Sequence, residues 1–297
     1  MNNIKNNLTT SLSNSRSYLE KTHLENYALK IEQFKQDEDF NKIILLGELA
    51  LNDKNVSFRD VIKIHTQLSS TYFYQGRYDL SLEHATKCQL MAEYLDEPSF
   101  LIQSLYLLSA NKRALSTFSS NPTEKNDLIK DAKSYINKAT KHLNQVNCEY
   151  LKAKVLFNAG AAYTNESKKD LEIATHFFND AVDIFLTQGK FLDYSRTLIR
   201  LAHIYLLQKR EDETLTFLKK INYSELTNKT KVHYHYLEAK YFIEIKKFYS
   251  ASSIILDAIE LANKLEMTRD LDRLNTLMKQ IQIEDDQIYM CQGAIKC

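Results

Sequence analysis

The sequence predicts an all-α fold: a right-handed α–α superhelix of stacked helical hairpins with a C-terminal capping helix. Three observations carry this expectation. A pattern of small and large residues recurs four times along 297 residues, and helix breakers are scarce, with 5 Gly and 2 Pro. An apolar content of 44% supplies a core that a repeat array can bury without splitting into domains.

The pattern is a small residue, two spacers and an aromatic, with a second helix following that carries small residues of its own. It reads His65-x2-Leu68-Ser69-x2-Tyr72, then Ser81, Ala85 and Cys88. It returns as Leu156-x2-Ala159-Gly160-x2-Tyr163 with Ala174, Phe178 and Ala181, and as Leu198-x2-Leu201-Ala202-x2-Tyr205 with Thr214 and Leu218. A fourth copy is His235-x2-Glu238-Ala239-x2-Phe242 with Ala251, Ile255 and Ala258. Where two helices cross closely a large side chain would hold the axes apart, so Ser69, Gly160, Ala202 and Ala239 mark the crossings. The aromatic one turn on fills the gap to the partner helix. On the second helix the small residues seven apart return to nearly the same face.

The elements follow in order. Residues 1–12 are polar and low in complexity, so disorder is expected there. A first helix is predicted from Ser17 to Gln36, and its partner from Asp39 to Asn52, opened by an acidic first turn. Hairpins are then predicted at 57–75 with 78–95, 98–118 with 126–146, 148–165 with 168–189, 191–208 with 211–221 and 230–246 with 248–265. The repeat domain spans 13–283 and ends in a helix from Thr268 to Ile283, whose Leu271, Leu274, Leu277, Met278 and Ile281 suit a cap on the final hairpin. Residues 284–297 form a tail. The third hairpin keeps Ala132 and Ala139 seven apart but shows no clear small-x2-Tyr anchor, and Ser116 to Asp127 reads as a polar insertion in a longer loop.

On these residues the chain resembles a tetratricopeptide-repeat protein over roughly residues 38–265. The best match is Ile64 to Met91, with its Gln75-Gly76-Arg77-Tyr78 turn. It departs from that family in having no Trp and no Pro closing each repeat. Its period is longer than the family's length of about 34 residues. Long degenerate repeats of this kind are similar to those of Rap- and PlcR-type peptide-sensing regulators. The resemblance implies binding of a protein or peptide in the concave groove.

Composition excludes several other classes. Lys and Arg number 39 against 38 Asp and Glu, so no basic surplus points to nucleic acid. No apolar stretch is long enough to span a membrane, and the N-terminus has no apolar core of a secretory signal. Cys88, Cys148, Cys291 and Cys297 form no CxxC pair, which suits reduced thiols in a cytoplasmic setting. Glycine-rich phosphate loops, HExxH and EF-hand patterns are all missing, so no catalytic residue, cofactor or metal is expected. His233 and His235 point about 200° apart on a helix and cannot share a metal. A homodimer is left open.

One constellation stands out. Asn158 and Arg200 each lie two residues before a crossing residue, and Arg196 is one turn before Arg200 on the same face. These three resemble the carboxylate clamp of chaperone-binding tetratricopeptide domains, without the Lys and Asn that such a clamp takes from the preceding repeat. An Asn amide donates and accepts at once, as a peptide backbone requires, and an arginine fork fits a carboxylate. Helix phase adds Tyr74, Asn165, His203, His233, Tyr236 and Lys240 to the expected groove face. The function expected is a non-catalytic protein- or peptide-binding module. The alternative is a peptide-responsive regulator that acts through protein contacts, since residues 1–60 show no helix-turn-helix.

Overall fold

The computed structural model describes residues 27–36, 38–164 and 167–294. Among them the regular elements are helices, with no strand. The first four α-helices are α1 (Tyr27–Gln36), α2 (Phe40–Leu51), α3 (Phe58–Tyr74) and α4 (Tyr78–Tyr94). Next come α5 (Pro98–Ser116), α6 (Pro122–His142), α7 (Glu149–Tyr163) and α8 (Lys168–Thr187). The chain continues through α9 (Phe191–Leu207), α10 (Glu211–Lys219), α11 (Asn228–Glu244), α12 (Phe248–Lys264) and α13 (Thr268–Ala294). The predicted segment 1–12 and the stretch from Ser17 to Asn26 lie outside the described residues. None of these helices is long and apolar enough to cross a membrane.

The hairpins pair as the register predicts, α3 with α4, α5 with α6, α7 with α8, α9 with α10 and α11 with α12. First helices also touch first helices, α3 with α5, α5 with α7, α9 with α11 and α11 with α13, and this stacking winds the pairs into a superhelix. At the crossings Ser69, Ala202 and Ala239 have no solvent exposure. A Cβ on Gly160 would lie 2.9 Å from the Phe178 ring, so only glycine lets α7 and α8 approach this closely. In the α3–α4 pair the serines lock the crossing reciprocally: Ser69 Oγ donates to the Ser81 carbonyl at 2.9 Å and Ser81 Oγ to the Ser69 carbonyl at 2.7 Å. Ser81, Cys88, Ala174, Ala181, Ala251 and Ala258 are fully buried on the second helices.

The third hairpin differs from expectation. Its anchor is Ser109, which is buried and donates to the Ala132 carbonyl at 2.8 Å. The position that holds an aromatic elsewhere is Lys112, paired with Asp131 at 3.1 Å, and so the frame was hidden. The expected long loop shrinks to residues 117–121, because α6 already begins at Pro122. Asn121 caps it, its Oδ1 accepting from Thr123 N–H at 2.9 Å, and Pro122 needs no N–H in the first turn. The final helix likewise runs past the expected Ile283, to Ala294.

One turn type recurs at seven of the helix junctions. A left-handed residue follows the helix end at Glu38, Gly76, Asp96, Gly189, Lys209, Lys246 and Glu266, with φ between 53° and 77°. The next residue donates its N–H back five positions, as from Arg77 to the Tyr72 carbonyl and from Arg210 to the Tyr205 carbonyl, both at 2.9 Å. Those two guanidinium groups then lie over the same tyrosine rings, 4.9 Å and 4.6 Å from the centroids.

The two ends of the array meet. One buried core contains Ile31, Ile43 and Leu68 from α1–α3 together with Val232, Ile255 and Leu274 from α11–α13. Side chains stitch the seam: Asn41 Nδ2 donates to Glu266 at 3.2 Å, Glu38 accepts from the Lys229 backbone N–H at 3.0 Å, and the Lys229 ammonium lies 3.8 Å from the Tyr74 ring centroid. The turn at Gly76 packs against Arg269 at the start of α13. The concave face is thereby enclosed as a lumen.

Candidate functional site

A ladder of polar contacts runs along the lumen, produced by the repeat register. Lys154, Arg196 and His233 each lie six residues before a crossing residue, and each reaches the first turn of the next first helix. Lys154 Nζ pairs with Asp193 at 2.8 Å, Arg196 Nε donates to Thr230 Oγ1 at 3.1 Å, and His233 Nε2 lies 3.4 Å from Asp270. Asp193 also accepts from the Tyr150 hydroxyl at 2.8 Å and pairs with Arg196 at 3.3 Å. Burial opposes ionisation of Asp193, but Lys154 and Arg196 outweigh it and hold the carboxyl below its ordinary range. Asp270 is only 5% exposed; burial works against its charge, and His233, Arg273 and Arg269 overcome it and keep the group well below the carboxylate range. Burial lowers His233 despite Asp270, so this imidazole is neutral at pH 7.

Beside the ladder is a cavity of about 260 Å³ lined by Arg113, Arg200, His203, Arg269 and Arg273. The register again explains its walls. His203 and Ala161 each follow a crossing residue by one, and Arg113 and Thr164 follow one by four. The fourth wall is α13, which presents Arg269, Asp272, Arg273 and Thr276 to the lumen while Leu274, Leu277 and Ile281 pack on the core it shares with α12. Burial first, then Arg273 and Arg269, lowers Arg200 to about 10. Burial, Lys240, Arg200 and Arg273 push His203 well below its usual value, so it is a neutral donor or acceptor at pH 7.

Of the residues expected from sequence, Arg200 and His203 line this cavity together. His233, Tyr236 and Lys240 lie along α11; Lys240 sits 6.0 Å from the Tyr236 ring centroid, and Arg273 covers the same ring at 4.0 Å. Asn158 donates Nδ2 to the Lys154 carbonyl of its own helix at 2.8 Å, beside the ladder. Arg196 is engaged by Asp193 and Thr230 and is not brought into a fork with Arg200. Tyr74 stacks on Phe40 with centroids 6.1 Å apart at the closing seam, and Asn165 lies outside the described residues. His235 turns away from His233 to Tyr223, at 2.7 Å, and to Glu238. Among the described residues no cluster of three or more His, Cys, Asp or Glu is placed to hold a metal.

Sequence reasoning missed Arg113, Arg269 and Arg273. The last two are four apart on the polar face of α13, a signal readable in the sequence. Arg113 became placeable only once Ser109 was known as a crossing residue.

Among solved structures, the chain is similar to a Rap protein complexed with Competence and Sporulation Factor, with a TM-score of 0.56 at 14% identity over 90% of this chain and 77% of that one. It shares the Rap fold. The apo form of RapI superposes with a TM-score of 0.52 at 15% identity, over 89% of this chain and 98% of RapI. The Cut9–Hcn1 hetero-tetramer of the APC/C gives a TM-score of 0.40 at 14% identity, covering 86% of this chain and 50% of that one. No protein-family model matches the sequence, and no curated protein matches it. The likeness to the Rap structures is one of backbone path.

Proposed function

We propose that the chain is a non-catalytic module that binds a peptide or a protein segment in its lumen. The observation that carries this reading is the lining itself: first helices present Arg200, His203, His233, Tyr236 and Lys240 inward, where a packed core would be apolar. Neutral imidazoles and tyrosine hydroxyls suit a peptide backbone, while rings and guanidinium planes hold side chains by stacking. Lys and Arg, 39 in all, nearly balance 38 Asp and Glu, which argues against nucleic acid as the partner.

A second reading, a regulator that responds to its ligand, draws on the seam. The polar Asn41–Glu266 and Glu38–Lys229 contacts lie beside the apolar core that both ends share, so a ligand spanning the lumen has a means of biasing the closure through them.

The test is capture from cell extract with wild-type protein and with an Asn158→Ala/Arg200→Ala variant of unchanged helicity and melting. A charged hydrogen bond contributes about 1.5–3 kcal/mol, so loss of Arg200 is expected to weaken the ligand roughly ten- to a hundredfold. The captured ligand should slow amide exchange in α9 and α11. Equal affinity for both proteins contradicts the lumen as the binding face.

A further inference from the structure

The arginines around the cavity come from three distant segments, α5 (Arg113), α9 (Arg200) and α13 (Arg269 and Arg273), yet they converge on one space. Like charges gathered this way are costly unless an anion sits among them. Arg273 is matched by Asp270 at 3.2 Å. Arg113 and Arg200 form no ion pair and no hydrogen bond among the described residues, and the buried Nε of Arg269 has no acceptor. The remaining wall carboxylate, Asp272, is exposed and therefore screened. Among the described residues one buried carboxylate, Asp270, is thus shared: it pairs with Arg273 and attracts Arg269 and Arg200 at longer range. Four guanidinium groups against that one carboxylate leave three positive charges, which a dianion comes closer to balancing than a ligand carboxylate does. The cavity is also small: about 260 Å³ lies below the roughly 300–1,000 Å³ of pockets that enclose a drug-sized ligand, so it suits an end group. The crowding is felt by the cage itself, since burial and then the neighbouring arginines lower Arg113 and Arg200.

We infer that Arg113, Arg200, Arg269 and Arg273 form a binding site for a dianion of the phosphate class, presented on a phosphorylated side chain or as free phosphate. Planar guanidinium forks give the bidentate hydrogen bonds that phosphate oxygens take. The inference builds on the reading of the lumen as a ligand site, but its deciding probe is inorganic phosphate.

The experiment is calorimetric titration and thermal melting of the full chain in a buffer free of multivalent anions, with inorganic phosphate as the probe. Phosphate should bind saturably and raise the melting temperature, while acetate at equal ionic strength should not. Arg113→Gln and Arg269→Gln should each weaken phosphate roughly tenfold or more. Without phosphate Arg113→Gln should melt no lower than wild type, because a like charge has been removed from the cage, whereas Arg269→Gln also gives up its contacts with the Phe73 and Tyr78 rings and with Asp270. Arg196→Gln should keep full phosphate binding, since Arg196 already serves Asp193 and Thr230. A phosphoserine peptide that binds more tightly than inorganic phosphate identifies the source as a phosphorylated side chain, and equal affinity identifies it as free phosphate. The inference is overturned by no saturable phosphate effect, by an undiminished effect in an Arg113→Gln/Arg269→Gln protein of wild-type helicity, or by acetate matching phosphate. Such a result leaves peptide binding to be judged by the capture experiment alone.

Discussion

Gly160 and the His65–His84 pair show how much single positions decide. Gly160 faces the Phe178 ring with no room for a Cβ, so Gly160→Leu should destabilise the protein by roughly 1–3 kcal/mol in thermal or denaturant unfolding. Near-normal stability would mean that α7 and α8 cross elsewhere. His65 and His84 meet at 2.8 Å through their Nδ1 atoms between α3 and α4. Burial, then His84, lowers His65 to about 4, and burial lowers His84 although Glu48 lies 3.7 Å away. Lys87 opposes and Glu83 favours protonation of both. Because both folded values fall below 6.5, the fold favours the neutral rings. Their contribution is therefore complete above pH 6.5 and lost as pH falls, for His65 toward about 4, at up to about 1.4 kcal/mol per pH unit for that ring. His65→Leu puts there the residue type found at Leu198, the same repeat position, and should flatten that acid slope. An unchanged slope would contradict the neutral pair. The small crossing residues were legible in the sequence because close approach demands them. The histidine pair was not, since it joins two helices at positions with no shared spacing.

At the scale of elements, helices were legible and their ends less so. Pro122 reads as a break in a string, but with Asn121 capping it opens α6, so the expected insertion became mostly helix. The turns recur as a device: the left-handed residue is glycine at 76 and 189 and lysine at 209 and 246. A side chain there pays roughly 1–2 kcal/mol in local sterics, partly offset by the entropy that glycine loses on folding. Lys246 is exposed with φ of 58°, so Lys246→Gly should stabilise the protein by roughly 0.5–1 kcal/mol, and Lys246→Ala should not. Equal melting of the glycine and alanine variants would count against this turn geometry. The apolar stripe of α13 announced a cap. Its opposite face, Arg269 and Arg273, acquires meaning only because the helix lies against the lumen.

At the scale of the whole molecule, the repeat period conveys how each hairpin stacks on the next but not how many complete a turn. Closure is long-range, made by Glu38, Asn41 and Tyr74 with Lys229 and Glu266, and no local spacing encodes it. The candidate site was therefore legible in part. Arg200 and His203 followed from register, while the wall supplied by α13 depended on the ends meeting. An open array would hold its outer hairpins apart by the intervening helices, each about 8–10 Å from the next. The most direct test is a spin-label distance between Lys42→Cys and Asn263→Cys, two exposed positions beside the seam, in a background with the native cysteines replaced. A single narrow, short distance is the result expected for a closed superhelix around a lumen; a broad distribution centred at long distance would contradict it.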